Sequence, residues 1–152
     1  MSEENKLTEK EIFELLLDEP VGHLGLTKEK QPYIVPLNYL YSNGAVYFHC
    51  ALEGRKIDYI SINPKACFQV GRYDGLIDSD LPCSHNYRYK SVIVEGIIEE
   101  VSDQKAKKTV LCGLVAKYAG PVIAEKSIPE KRIETVAIYR LIPDKISGRK
   151  DS

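Results

Sequence analysis

Residues 31–50 read QPYIVPLNYLYSNGAVYFHC. This stretch is rich in β-branched and aromatic residues, and it is punctuated by Asn43-Gly44. A type I′ turn needs positive φ at both central positions, which Asn-Gly tolerates, so the pair predicts a hairpin. Ala45 to Cys50 is then the returning strand. Working backwards, Val21 to Thr27 is a short apolar segment with two glycines, followed by the polar turn Lys28 to Lys30. The three segments together predict an antiparallel meander. Pro32 and Pro36 lie inside the middle run. Proline donates nothing to a ladder, so this strand is an edge or is irregular at Pro36.

Outward from this core the periodicity alternates between helix and strand. At the N-terminus, Thr8 and Glu11 form a capping box, with Leu7 and Ile12 placed as a hydrophobic staple. Ile12, Leu15 and Leu16 give one apolar face, and Pro20 stops the helix. Downstream, a short helix is predicted over Glu53 to Ile62, with Asn63-Pro64 ending it. Ala66 to Arg72 reads as a strand, Tyr73 to Asn86 as a long polar loop, and Tyr87 to Val101 as a long strand. Gly96 marks a bulge or bend there. Ser102 or Asp103 caps a second helix running to Tyr118, which Gly120-Pro121 closes. A last strand spans Glu134 to Ile142, and Ser147 to Ser152 reads as a polar tail. About six strands with helices inserted between them predict an α+β, mainly β, split barrel in one domain, 1–152. The order is too irregular for a doubly wound parallel sheet.

Composition narrows the function classes. With 152 residues the chain fits one domain, too short for a dinucleotide-binding domain plus a separate substrate domain. Apolar residues make up 43% and charged residues 28%, a soluble globular balance. Lys plus Arg number 21 against 22 Asp plus Glu, which argues against a nucleic-acid binder relying on bulk positive charge. Apolar runs are too short for a membrane span and residues 1–10 lack a secretory core, so a cytoplasmic protein is expected. Cys50, Cys67, Cys83 and Cys112 form no CxxC pair, and no metal site is expected. They read as reduced thiols, mostly buried, Cys67 and Cys112 above all.

The chemistry-bearing stretch is residues 49–56, HCALEGRK. It passes from a strand end through a glycine turn into a helix, so Arg55 and Lys56 fall in the first helical turn. Cations are unfavourable there, because that end already carries partial positive charge. A bound anion removes the conflict: free backbone N–H groups and two cations converge on a phosphate. The alternative is that both side chains point to solvent, with Glu53 offsetting them. An irregular strand at Pro36 would leave unpaired backbone groups to read the edge of a flat heterocycle; the alternative is an edge strand guarded against aggregation. His49 is a candidate proton or hydrogen-bond donor. Cys50 faces the other side of its strand, which argues against a Cys-His pair.

Five segments in order, GHLGLT, QPYIVPLNYLY, YFHCALEGRKIDYISINPKACFQV, YRYKSVIVEGIIEEV and ISGRK, carry a resemblance over Val21 to Lys150. The chain resembles the flavin-binding split barrels of the nitroimidazole-reductase and pyridoxamine-phosphate-oxidase superfamily. The resemblance implies an FMN cofactor, a homodimer, and a flavin groove at the subunit interface. It implies that Pro36, Leu37, Asn38 and Tyr39 line the isoalloxazine ring, and that His49 stands near the flavin or the substrate as the catalytic candidate. It assigns Arg55 and Lys56 to the phosphate and adds Ser91, Val92 and Arg149 as cofactor contacts. The chain has no Trp and only three Phe for stacking, with ten Tyr available instead. The pyridoxal-phosphate pattern of true pyridoxamine-phosphate oxidases is not matched, so the expected activity is hydride transfer from reduced FMN to a small acceptor such as a nitro-aromatic. Three rival readings stand beside it: a flavin carrier or sensor without turnover, a haem-binding split barrel, and a cofactor-free interaction protein.

Overall fold

The computed structural model describes residues 2–151. In chain order the elements are α1 (Glu9–Asp18), β1 (Gly22–Lys28), β2 (Gln31–Leu37), β3 (Leu40–Ser42), β4 (Ala45–Cys50), α2 (Arg55–Ile62), β5 (Lys65–Ile77), β6 (Asn86–Glu100), α3 (Gln104–Ala119), α4 (Pro121–Ala124), α5 (Glu130–Glu134) and β7 (Ala137–Asp151). Among the described residues the strands form one seven-stranded antiparallel sheet in the order β2-β1-β5-β6-β7-β4-β3.

The hairpin at Asn43-Gly44 forms with positive φ at both residues, 51° and 73°. The meander does not. β2 pairs with β1 and β3 pairs with β4, at opposite ends of the strand order. Only Asn38 and Tyr39 connect them, and Leu37 and Leu40 are three residues apart, at most ~11 Å. The two edges must therefore approach each other, and the sheet rolls into a split barrel. β2 is an edge strand, as its prolines require, and Pro36 itself stays in register opposite His23. The irregularity falls two residues later.

Strand alternation fills the barrel with Leu24, Phe68, Val70, Val92, Val94, Phe48 and Leu141, all essentially buried. A second cluster packs Val110, Leu111 and Leu114 of α3 against Tyr47 and Ile138, on the opposite face of β4 and β7. That face also carries His49, while Cys50 joins the barrel cluster. Cys67, expected to be buried, is exposed, because Phe68 and Val70 take the inward positions of β5. Cys112 is half-buried.

Two further segments differ from expectation. The two ends of the loop predicted over Tyr73 to Asn86 continue the β5–β6 hairpin, paired as far as Ile77 and Asn86 through a bulge at Tyr73/Gly75, and residues 78–85 form the connection. This arm leaves Tyr73 and Leu76 exposed, so it lacks the in-out alternation that marks a half-buried strand. The predicted polar tail is the end of β7, with Ser147, Gly148 and Arg149 paired to Ile93, Val92 and Ser91. Leu7 and Ile12 rest on Gly148, where any Cβ would lie within 2.8 Å of both. The capping box is complete: Glu11 N–H donates to Thr8 Oγ1 at 3.2 Å and Thr8 N–H to Glu11 Oε2 at 2.8 Å.

Gly96 sits at a bulge opposite Pro143, and a Cβ there would come 2.0 Å from the Ile142 carbonyl oxygen. Gly96→Ala is expected to cost about 1–3 kcal/mol through forced backbone displacement. A fall in thermal midpoint by differential scanning calorimetry checks this. The Thr8 N–H, then Lys150 and Lys90, hold the Glu11 carboxylate down to a pKa of about 2, against a smaller opposing effect of burial. A depressed carboxylate stabilises fully above its ordinary range near 4.5 and loses that contribution as pH falls through about 2. Glu11→Gln should therefore destabilise by about 1 kcal/mol at pH 7, with the difference shrinking as the pH approaches 2, read from paired melts.

Candidate functional site

The chain leaves β4 at Cys50 and turns through Ala51–Gly54 into α2. Gly54, with φ of 139°, occupies the cap position and offers no side chain. The first N–H groups of α2 are thus uncapped by any side chain, and the next two residues are cations. The Arg55 guanidinium stacks over Tyr33 at 4.1 Å and reaches the Tyr59 hydroxyl at 3.5 Å, a contact that raises its already high pKa. Among the described residues neither Arg55 nor Lys56 forms an ion pair, and Glu53 pairs with neither. The niche they share with Tyr33, Cys50 and Ala51 is about 180 Å³. Uncapped donors, two unpaired cations and a small cavity suit one phosphate group.

The β2–β3 crossing is held from α1 and α3. Tyr39 is fully buried, and its hydroxyl donates to the Leu16 carbonyl at 2.8 Å. Its backbone N–H donates to the Tyr118 hydroxyl at 2.9 Å, and its carbonyl accepts from Lys117 Nζ at 3.0 Å. Lys117 also lies 3.5 Å from the Tyr39 ring centre. Burial pulls the Lys117 ammonium down to a pKa of about 8 and pushes the Tyr39 phenol well above its usual range. The Tyr39 side chain is therefore a structural anchor. Leu37 packs against the barrel core, while Asn38 is exposed and lines a cavity with His49, Tyr118 and Arg132. His49 is exposed at the surface of β4, and its pKa is lowered first by partial desolvation and then by Arg132 and Lys56. Lys56 thus acts electrostatically on both the niche and His49.

The remaining candidates lie across the sheet. Ser91 pairs with Gly71 on one side and Arg149 on the other. Gln69 Nε2 donates to Ser91 Oγ at 3.0 Å, and Gln69 Oε1 meets His23 Nδ1 at 3.2 Å. His23 stands opposite Pro36. His23, Gln69 and Ser91 therefore form a polar row on the outer face, with Pro36 at one end and Arg149 at the other. Val92 turns into the barrel and is fully buried, leaving only its backbone for a ligand. The structure thus sorts the sequence-derived candidates into three groups: Arg55 with Lys56, Asn38 with His49, and Pro36 with Ser91 and Arg149. Lys117, Arg132, His23 and Gln69 were not singled out from sequence as site residues. Each is placed by a contact between elements distant in the chain, and no local motif marks it.

Comparison with known proteins agrees with this architecture. Residues 8–150 match the family model described as Pyridoxamine 5'-phosphate oxidase. An uncharacterized protein of Rhizobium meliloti (strain 1021) is 31% identical over 81 residues, 53% of this chain. That match spans 46% of the relative's length. A FAD-binding protein of Mesorhizobium loti superimposes with a TM-score of 0.72 at 26% identity, covering 97% of each chain. A candidate 5-nitroimidazole antibiotic resistance protein of Bacteroides thetaiotaomicron gives 0.80 at 24% identity, covering 97% of this chain and 90% of its own; at that identity the likeness is one of fold. With all but its first and last few residues matched by the family model, and a split barrel rolled from seven antiparallel strands, the chain belongs to the pyridoxamine 5'-phosphate oxidase family.

Proposed function

We propose that this protein binds FMN and acts as an oxidoreductase, passing a hydride from the reduced flavin to a small acceptor of the nitro-aromatic class. The observation that carries the reading is the uncapped start of α2 with unpaired Arg55 and Lys56. The flavin-binding relative at 26% identity supports a flavin in general. The niche has room for a phosphate, and FMN is the flavin that the resemblance implies.

The flavin, once bound, supplies the two-electron chemistry. Arg55, Lys56 and the first N–H groups of α2 hold its phosphate. Asn38 offers an amide to a polar ring edge. Gln69 fixes the Ser91 hydroxyl as an acceptor of its own N–H, which leaves the hydroxyl proton of Ser91 free to donate to a ligand. His49, whose pKa is lowered by partial desolvation and by two neighbouring cations, holds a hydrogen bond or proton at the acceptor.

The three groups of candidates face different cavities or faces of one chain, and a flavin shared between two copies reconciles them. Ile34, Tyr73, Leu76 and Ile93 are exposed apolar side chains of β2, β5 and β6 that support a homodimer through this side of the sheet. Absence of any helix long and apolar enough to cross a membrane, among the described residues, is compatible with a cytoplasmic location.

Arg55→Ala combined with Lys56→Ala is expected to weaken FMN binding at least tenfold, the scale of one or two lost charge-assisted hydrogen bonds, with an unchanged melting temperature. A visible spectrum of purified protein before and after FMN addition, with the released cofactor identified by mass, tests the cofactor. Bound FAD would correct the cofactor, a Soret band would point to haem, and colourless protein after FMN addition would sink the reading. Light scattering should give twice the mass of one chain, and Ile34→Glu should shift it towards monomer.

A further inference from the structure

The cavity between α3, the segment around Ile128, and β4 holds a cation, Arg132, that the flavin reading does not use. It is about 340 Å³, in the range of small-molecule sites. Its walls include Leu114, Val115 and Ile128. Tyr118 also lines it, but its hydroxyl is committed to Pro20 and to the Tyr39 backbone. Three polar side chains remain: Asn38, His49 and Arg132. Among the described residues none of the three has a side-chain hydrogen bond or ion pair, although all three border the same apolar space.

The charges around this cavity have one sign. Among the described residues that line it, Arg132 is the one charged side chain, and Lys56 is the further cation that acts on His49. An apolar cavity with a guanidinium, an imidazole and an amide lacks only an acceptor-rich, negatively charged partner. We propose that this cavity binds a small aromatic carboxylate, with Arg132 pairing the carboxylate, Asn38 and His49 donating to its oxygens or to a ring substituent, and the ring lying against Leu114, Val115 and Ile128. As the acceptor's subsite this rests on the flavin reading; as an anion site it stands on the cavity alone.

The test compares 4-nitrobenzoate with its neutral isostere 4-nitrobenzamide, titrated calorimetrically into the full chain with and without FMN. The carboxylate is expected to bind about tenfold tighter, the scale of one charge-assisted hydrogen bond. Arg132→Gln should reduce its affinity to that of the amide, and Arg132→Lys should keep part of the difference. Arg132 is exposed on a short helix, so both variants are expected to fold; in wild-type protein the His49 ring resonances should also move on adding the carboxylate. Equal affinity for the two ligands, a preference that survives Arg132→Gln, unmoved His49 resonances, or competitive displacement by FMN would each overturn the proposal. Failure of FMN to bind would remove the flavin reading while the FMN-free titration still decides the anion site.

Discussion

Two residues, Asn38 and Tyr39, carry the chain from one edge of the sheet to the other, and the rest of the molecule is arranged around that crossing. A seven-stranded sheet whose edge strands are joined by so short a link cannot remain open. The crossing leaves backbone groups that no strand satisfies, and satisfying them is costly to omit, about 1–3 kcal/mol for each buried group. Tyr118 and Lys117 of α3 do so, while the Tyr39 hydroxyl reaches the end of α1. One tyrosine thereby fastens both flanking helices to the split in the barrel.

That fastening has a chemical consequence. With Tyr39 turned inward, its neighbour Asn38 is exposed and lines a cavity beside α3. The same α3 packs on the face of β4 that carries His49, so Asn38 and His49 meet against an apolar helix. Lys117 stabilises the arrangement as a cation over the Tyr39 ring, a contact of order 1–2 kcal/mol when partly desolvated. Its lowered pKa is the counterpart of that burial. The niche at α2 is built differently, from backbone: a glycine with positive φ ends the turn without a cap, and two cations follow where acidic residues would ordinarily be favoured.

Much of this was legible in the residues. Asn43-Gly44 announced its hairpin, Thr8 and Glu11 their capping box, Gly96 its bulge, and Arg55-Lys56 their position in a first helical turn. Each of these depends on a few neighbouring residues whose backbone preferences are local. The extension of β5 beyond Arg72 was not legible, because an exposed arm has no apolar alternation. Nor was the end of β7, whose Ser-Gly-Arg-Lys reads as a tail until β6 and the staple of α1 cover one side of it.

By itself, then, the sequence determined the turns, the caps, the helix starts and the family, since those are properties of short windows and of their order. Tertiary structure alone decided that Pro32 to Tyr41 divides between two sheet edges, that Tyr39 is an anchor and Val92 a barrel residue, and that Arg132 shares a cavity with His49. The physical reason is the same in each case. Which face a side chain takes, and what it meets there, follows from pairing between strands tens of residues apart, and no local preference encodes that pairing.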